Sequence, residues 1–220
     1  MIERFIHRLQ VEWPAADETV ADARVRLAAK FPRTALRRMT HLGLLVGSAL
    51  DGTPLGPDDA VVYATTFAET RALEDFLGSF PTASPLLFQT SIHPGAVQQV
   101  LIGRQQPVAR LWPLAGRTRL VEQGLLTALL EPASRVAFVG GEERGTWMLE
   151  HGMAGARPFA FAAMLTRDAA RSEGRVTFSV DDRQGCDERC PSLPVFAEAL
   201  GARRPLRWGG AGGEIAVTWA

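Results

Sequence analysis

The sequence is poor in the residues that build cross-linked or metal-bound scaffolds. Its 220 residues contain two cysteines, Cys186 and Cys190, which are too few for a disulfide framework. Their C-x3-C spacing has no neighbouring histidine and no second cysteine pair, so the set of four ligands that zinc requires is incomplete. A chain of this length can bury a sizeable core without such aids. We therefore expect no metal site and no cofactor.

The sequence also lacks an excess of charge of either sign. Lysine and arginine total 24, aspartate and glutamate total 24, and the formal net charge at pH 7 is +0. Nucleic-acid-binding proteins usually carry a basic excess, and a surface that holds anionic lipid needs clustered basic residues. We therefore expect neither a nucleic-acid partner nor attachment to an anionic membrane surface.

Long apolar runs are missing as well. No run approaches the roughly 20 residues of a membrane span. The first residues, MIERFIHRLQVEWP, lack the apolar stretch of a signal peptide. The sequence therefore predicts a cytoplasmic protein without a membrane span.

The residues that are present are typical of a single globular domain over residues 1–220. Hydrophobic residues make up 46% and charged residues 22% of the sequence, the usual balance of a folded protein. Apolar residues at helical spacing predict helices over 35–50, 69–80, 118–130 and 194–200, and another that starts at Ser91 or Pro94 and ends at 103. Short apolar runs predict strands over 60–64, 107–112, 135–140, 160–166, 176–180 and 215–219, and alternation over 1–13 predicts an edge strand.

Strands and helices alternate between residues 60 and 140. This alternation indicates βαβ units, whose strands run parallel and are covered by helices. The last third of the chain is richer in strands than a simple doubly wound fold. The sequence therefore predicts an α/β fold with a mixed, mostly parallel sheet covered by helices.

The polar residues alone suggest no catalytic constellation. The glycine-rich stretch 209–213 precedes a strand, so it offers no helix N-terminus to a phosphate, and no G-x-S-x-G nucleophile elbow is present. Among the four histidines, His93 is the most interesting because it opens a predicted helix in a polar loop. Adjacent carboxylates rarely point into one site, so three acidic pairs are interpreted as solvated turns: Asp58-Asp59, Glu142-Glu143 and Asp181-Asp182.

A series of short motifs in fixed order connects the chain to a known family. The motifs are Arg37-Arg38-Met39, Pro57-Asp58-Asp59, Val61–Thr65, Glu74–Leu77, Ser84–Pro94 and Gly140-Gly141-Glu142. In this order they resemble the N-terminal half of the β-ketoacyl synthases, most strongly over residues 35–180. The resemblance implies a thiolase-like half-fold.

The departures from that family concern catalysis. Its members attack an acyl thioester with a cysteine placed where a strand meets a helix. Here Ala115 or Leu114 takes that position, and neither side chain is a nucleophile. The family's two catalytic histidines belong to a C-terminal half that has no counterpart in these 220 residues. The resemblance therefore implies little or no condensing activity by this chain alone.

A ketosynthase-like chain without its cysteine resembles a chain-length factor, in particular the short type found in gene clusters for aryl polyene and xanthomonadin pigments. The resemblance implies a heterodimer with an active ketosynthase, which works on acyl chains bound to an acyl carrier protein in polyketide-type or fatty-acid-like biosynthesis. In this role the inactive subunit completes the acyl tunnel. The expected tunnel and interface residues are Phe88, Gln89, His93, Val108, Arg110, Trp112, Leu114 and Ala115.

Two other functions remain open at this point. A stand-alone thioester hydrolase or acyltransferase would need a hydroxyl nucleophile near His93, for example Thr90, Ser91 or Thr118. A homodimeric acyl-binding scaffold would need no ketosynthase partner. Phe88 and Trp112 could also be plain core residues rather than interface residues.

Overall fold

A computed structural model of the protein describes residues 1–180, 189–210 and 212–220. The strands are β1 (Ile2–Glu12), β2 (Ala60–Thr65), β3 (Arg110–Ala115), β4 (Arg135–Glu142), β5 (Phe159–Thr166), β6 (Gly174–Ser179), β7 (Leu206–Gly210) and β8 (Gly213–Trp219). The helices are α1 (Val20–Arg26), α2 (Arg33–Leu36), α3 (His41–Ala49), α4 (Thr70–Gly78), α5 (Pro85–Ser91), α6 (Gly95–Gly103), α7 (Leu120–Leu130), α8 (Trp147–Glu150) and α9 (Leu193–Gly201). The predicted strand at 1–13 and the helix at 69–80 are confirmed in position.

Within the described residues, these strands form one eight-stranded sheet in the order β3-β2-β4-β5-β1-β6-β8-β7. Two pairings are parallel, those of β2 with β3 and with β4. The other five pairings are antiparallel. The predicted mostly parallel sheet is therefore wrong, because the βαβ pattern of residues 60–140 does not continue into the last third, where β5, β6, β7 and β8 pair antiparallel with their neighbours.

The N-terminal strand also lies elsewhere than predicted. β1 is not at the edge: it pairs with β5 on one side and β6 on the other. Its side chains face helices on both sides of the sheet, so its alternation of apolar and polar residues is weak. One edge strand of the sheet is β3, which pairs with β2 on its inner side. Its outer edge has no neighbouring strand among the described residues.

Helices cover both faces of the central strands. The side chain of Val62 belongs to a core cluster with α7 and α9, whereas Val61 belongs to a second cluster with α1, α3 and α6. β2 is buried along its whole length, as expected for a strand between two helical layers. The central α/β layers therefore position β3 as a rigid outer strand.

A buried arginine ties β1 to the end of α7. Arg4 has no exposed surface, and its guanidinium donates to the backbone oxygens of Glu131, Ala133 (2.9 Å) and Ser134 (3.2 Å). The last carbonyls of a helix lack intrahelical partners and favour a positive charge. Arg4 thus fixes the turn that follows α7.

Two glycines on helices test how closely the layers pack. A Cβ on Gly124 of α7 would lie 2.6 Å from Phe138 Cε2 of β4, whereas a Cβ on Gly78 of α4 would meet nothing within 4 Å. We expect Gly124→Ala to lower the free energy of unfolding by about 1–3 kcal/mol through overpacking. Gly78→Ala, the matched control, should leave it unchanged or raise it by up to about 1 kcal/mol. Urea unfolding measures both; equal effects of the two substitutions would contradict the close α7–β4 contact.

Candidate functional site

The junction between β3 and α7 is the place where the resemblance puts a nucleophile. β3 ends at Ala115, Gly116 takes a positive φ of 147°, and Arg119 in a left-handed conformation precedes α7. Between Leu114 and Arg119 the only hydroxyl is that of Thr118, and no thiol is present. The chain therefore forms a strand-to-helix turn without a cysteine on it.

A cysteine from a distant segment does approach the same helix. The thiol of Cys190, which donates to Pro191 O (3.6 Å), lies near the backbone N–H groups of Val121 and Glu122 in the first turn of α7. Burial raises the pKa of the Cys190 thiol, and the nearby Glu122 carboxylate acts in the same direction. An activated nucleophilic cysteine has a lowered pKa, so these surroundings favour the neutral thiol. No pattern in the sequence indicates this contact, and Cys186 lies outside the described residues.

Buried carboxylates occupy the carboxyl ends of β2 and β4, next to that junction. Glu142 accepts from the backbone N–H groups of Thr66 and Phe67, which follow β2. Glu143 accepts from Leu42 N of α3 (3.2 Å) and Arg71 N of α4 (2.7 Å). Both are almost fully buried, so their interpretation as a solvated turn is wrong.

Two more buried glutamates bind helix N-termini nearby. Glu69 accepts from Ala96 N of α6 (2.8 Å). Glu74 of α4 accepts from the N–H groups of Thr146 (3.1 Å) and Met148 (3.0 Å) around α8. Unsatisfied N–H groups of a first helical turn are favourable partners for a carboxylate. Their role is therefore to anchor helices against the sheet edge.

Burial has a large effect on the protonation of this group. It raises the pKa of Glu69, Glu142 and Glu143 to about 7 in each case, although the backbone hydrogen bonds favour the charged forms. Glu69 and Glu143 also repel each other. These carboxyl groups therefore change charge near neutral pH.

His93 lies on this buried group rather than in an open catalytic site. Its ring stacks on Tyr63 with 5.2 Å between ring centroids, and its Nδ1 is 3.8 Å from Glu69 Oε2. Burial lowers the pKa of His93. Two of the three hydroxyls named as its possible nucleophilic partners donate elsewhere: Ser91 Oγ to Phe88 O (2.8 Å) and Thr90 Oγ1 to Leu87 O (3.0 Å).

The free edge of the sheet brings together three of the predicted interface residues. Arg110, Trp112 and Leu114 alternate along β3 and point to the α7 side, where Glu131 accepts from Arg110 Nε (2.8 Å) and Trp112 Nε1 (2.7 Å). Trp112 is 43% exposed, so it is not a plain core residue. Val108 precedes β3 and packs partly against the second core cluster.

Pro113 restricts how this edge can pair. Gly116 N donates to Thr65 O of β2 (3.2 Å), and backbone alternation therefore turns the nitrogen of Pro113 away from β2. Leu111 and Ala115 present their backbone groups in the same outward direction. The edge can accept a further strand, but with one hydrogen bond fewer at Pro113.

An apolar patch made by α4, α5 and the loop between them holds the remaining predicted residues. Phe88 is 51% exposed, and its ring lies 5.2 Å from that of Phe76, which in turn lies 5.4 Å from Phe80. Gln89 is an exposed neighbour on α5. Other exposed apolar side chains of this patch are Leu77, Leu86 and Ile92.

Metal and membrane features can be assessed for the described part of the chain. There, no three His, Cys, Asp or Glu side chains gather in a way that could hold a metal ion. Over the same residues, the helices are too short or too polar to cross a bilayer.

The raised pKa values predict a pH-dependent difference between the protein and a Glu143→Gln variant. Because the pKa of Glu143 is higher in the folded state, its contribution to stability is full below about pH 4.5 and falls as the pH rises to about 7. Relative to the wild type, the variant should therefore gain stability over this range, by at most roughly 1.4 kcal/mol per pH unit.

Chemical denaturation at several pH values measures that difference. Glu150→Gln provides the control. Glu150 is an exposed glutamate on α8, so the same replacement of glutamate by glutamine takes place there in contact with water. A difference between wild type and Glu143→Gln that stays constant from pH 4.5 to 7.5 would contradict the buried, protonatable state of Glu143.

Comparisons with known proteins bear on the fold. No family model matches the sequence, and a search of curated proteins finds no match. Among solved structures, a chain in the complex of a ketosynthase (ApeO) with its chain length factor (ApeC) from Xenorhabdus doucetiae is similar, with a TM-score of 0.68 and 20% identity. The match covers 99% of this chain and 100% of that chain.

Two further structures are similar over a smaller share. The ishigamide ketosynthase/chain length factor has a TM-score of 0.55 and 13% identity, with 83% of this chain and 68% of that chain covered. A β-ketoacyl synthase from Burkholderia phymatum has a TM-score of 0.54 and 12% identity, with 82% and 65% covered. The chain thus spans about two thirds of these longer proteins. With its mixed sheet between helical layers and its strand-to-helix turn after β3, the chain has the thiolase-like fold of the ketosynthases.

Proposed function

We propose that this chain is the non-catalytic, chain-length-factor-like subunit of a heterodimer with an active β-ketoacyl-carrier-protein synthase. In this role it completes the tunnel that holds a growing acyl chain bound to an acyl carrier protein. The sequence resemblance suggests an aryl polyene or a related polyketide-type product. The observation that carries the proposal is the β3–α7 turn, where Ala115 or Leu114 stands at the position that the resemblance assigns to the nucleophilic cysteine.

The similar structures support this assignment through the extent of each match. The chain in the ketosynthase/chain length factor complex is matched over its whole length. The Burkholderia phymatum synthase is matched over only 65% of its length. The fold match is therefore more complete with the chain of that complex than with this synthase.

The two exposed surfaces fit a partner of the same fold. Among the described residues no strand pairs with the outer edge of β3, and the side chains of Trp112 and Arg110 stand beside it. Such residues are enriched among those that dominate binding energy at interfaces. The apolar patch with Phe88 is a candidate wall for a hydrocarbon chain or for the partner.

The stand-alone hydrolase is the weaker alternative. Ser91 and Thr90 direct their hydroxyl protons to backbone oxygens of their own helix, so His93 does not activate them. Cys190 remains the side chain to exclude by experiment, because its thiol lies at the N-terminus of α7. The homodimeric scaffold differs from the proposal only in its partner.

The division of labour predicts how thioester chemistry responds to mutation. In the reconstituted heterodimer, Cys190→Ser should retain the condensation rate within about twofold, whereas replacement of the partner's catalytic cysteine should abolish it. Turnover of an acyl carrier protein thioester, followed by mass spectrometry, measures both. Activity of the chain alone that disappears with Cys190→Ser would contradict the non-catalytic role.

The tunnel-wall role of Phe88 predicts a change of product. Phe88→Ala should lengthen the carrier-bound products of the heterodimer because it removes bulk from the wall, and Phe88→Trp should shorten them. Ile102→Ala is the control, since Ile102 is an exposed apolar residue on α6, outside the apolar patch. Mass spectra of the bound chains that are unchanged for both Phe88 variants would contradict a role of Phe88 in the tunnel.

A further inference from the structure

The side chains of the β3 edge are not free to move, because one buried carboxylate holds both of them. The Glu131 side chain is 1% exposed, whereas the Arg110 side chain is 45% exposed. Glu131 Oε1 accepts from Arg110 Nε (2.8 Å) and Oε2 accepts from Trp112 Nε1 (2.7 Å). One inward-facing acceptor group therefore sets the orientation of the two outward-facing residues.

The carboxylate itself is fixed from two directions. Glu131 ends α7, and its Oε1 accepts a further hydrogen bond from Ala133 N (3.1 Å). Its backbone oxygen accepts from Arg4 of the central strand and from Arg167 (3.4 Å). The side chain is thus aimed at β3 by a turn that is anchored in the middle of the sheet.

The electrostatics agree with a permanently charged acceptor. Burial alone would favour the neutral acid, but the hydrogen bonds from Ala133, Trp112 and Arg110 outweigh it and lower the pKa of Glu131. Arg110 in turn compensates the buried charge. A charged acceptor makes stronger hydrogen bonds to both donors than a neutral one.

We propose that Glu131 is a positioning residue for partner binding, which holds Arg110 and Trp112 in the orientation that the ketosynthase subunit recognises. This inference rests on the proposed function. Ordering a long side chain at an interface consumes binding free energy, and a side chain that is already ordered in the free protein avoids this loss. The partner surface that fits is a strand edge of low charge, since the Glu131 carboxylate already pairs with the Arg110 guanidinium.

The test uses Glu131→Gln in the full-length chain. A glutamine can accept from only one of the two donors, and its own NH2 group faces the other. We expect the dissociation constant of the heterodimer to rise about tenfold, with the change mainly in the dissociation rate. Biolayer interferometry with the ketosynthase that co-purifies with the wild-type chain measures the affinity and both rates.

Glu18→Gln is the matched control. Glu18 is also a buried glutamate held by a half-exposed arginine, Arg26, with side-chain exposures of 5% and 41%, but it lies beside α1, where its carboxylate accepts from Arg26 and not from Arg110 or Trp112 of β3. It should lower the melting temperature to a similar degree and leave the dissociation constant unchanged. A purely structural role of Glu131 would make the two variants behave alike.

A second variant keeps the inference testable if Glu131→Gln folds poorly. Trp112→Phe keeps an aromatic ring, although a smaller one, and removes the indole N–H that donates to Glu131. It should weaken binding on its own. Since Glu131 acts through Trp112 and Arg110, the Glu131→Gln/Trp112→Phe double variant should lose less affinity than the sum of the two single losses. It should bind only slightly less tightly than the weaker-binding single variant. Full additivity, or a Glu131→Gln affinity equal to that of the wild type, would overturn the positioning role while leaving the heterodimer intact. Failure of the wild-type chain to bind any ketosynthase would instead refute the proposed function, and this inference with it.

Discussion

The architecture depends on buried carboxylates that accept hydrogen bonds from backbone N–H groups at the carboxyl ends of β2 and β4. Glu143 joins the first turns of α3 and α4, Glu69 holds the start of α6, and Glu142 holds the segment after β2. Each buried charge is costly unless such partners are present. The helix N-termini therefore cannot leave the sheet edge without exposing both the carboxylate and its donors.

Contacts around β3 also hold the turn that follows it, which carries no cysteine. In a ketosynthase-like fold the strand-to-helix turn has to present a side chain to a substrate. Here β3 is held by its pairing with β2 and, through the side chains of Arg110 and Trp112, by Glu131. The fold thus presents β3 as a fixed edge strand and an exposed apolar patch on α4 and α5. The proposed subunit role requires two such surfaces.

The sequence allowed much of the central α/β unit to be predicted, because β2 and β4 are continuous apolar runs and α4 has a clear apolar face. It did not reveal that β1 is central, since a strand with Arg4 buried beneath a helix end looks like an exposed edge strand. The antiparallel strand β7 was not predicted either, because it ends in glycines, which are typical of turns. The motif Gly140-Gly141-Glu142 marks the end of β4, but only the structure shows that Glu142 and Glu143 are buried.

The contacts of Glu131 with Arg110 and Trp112 join residues about 20 positions apart, and no periodicity in the sequence encodes them.

The most direct test of the account is affinity purification of the tagged chain from its native host, followed by size-exclusion chromatography with light scattering and mass spectrometry. The proposed role predicts a stable one-to-one complex with a ketosynthase that carries its own catalytic cysteine. A homodimer or monomer that retains no ketosynthase at native expression levels would contradict it.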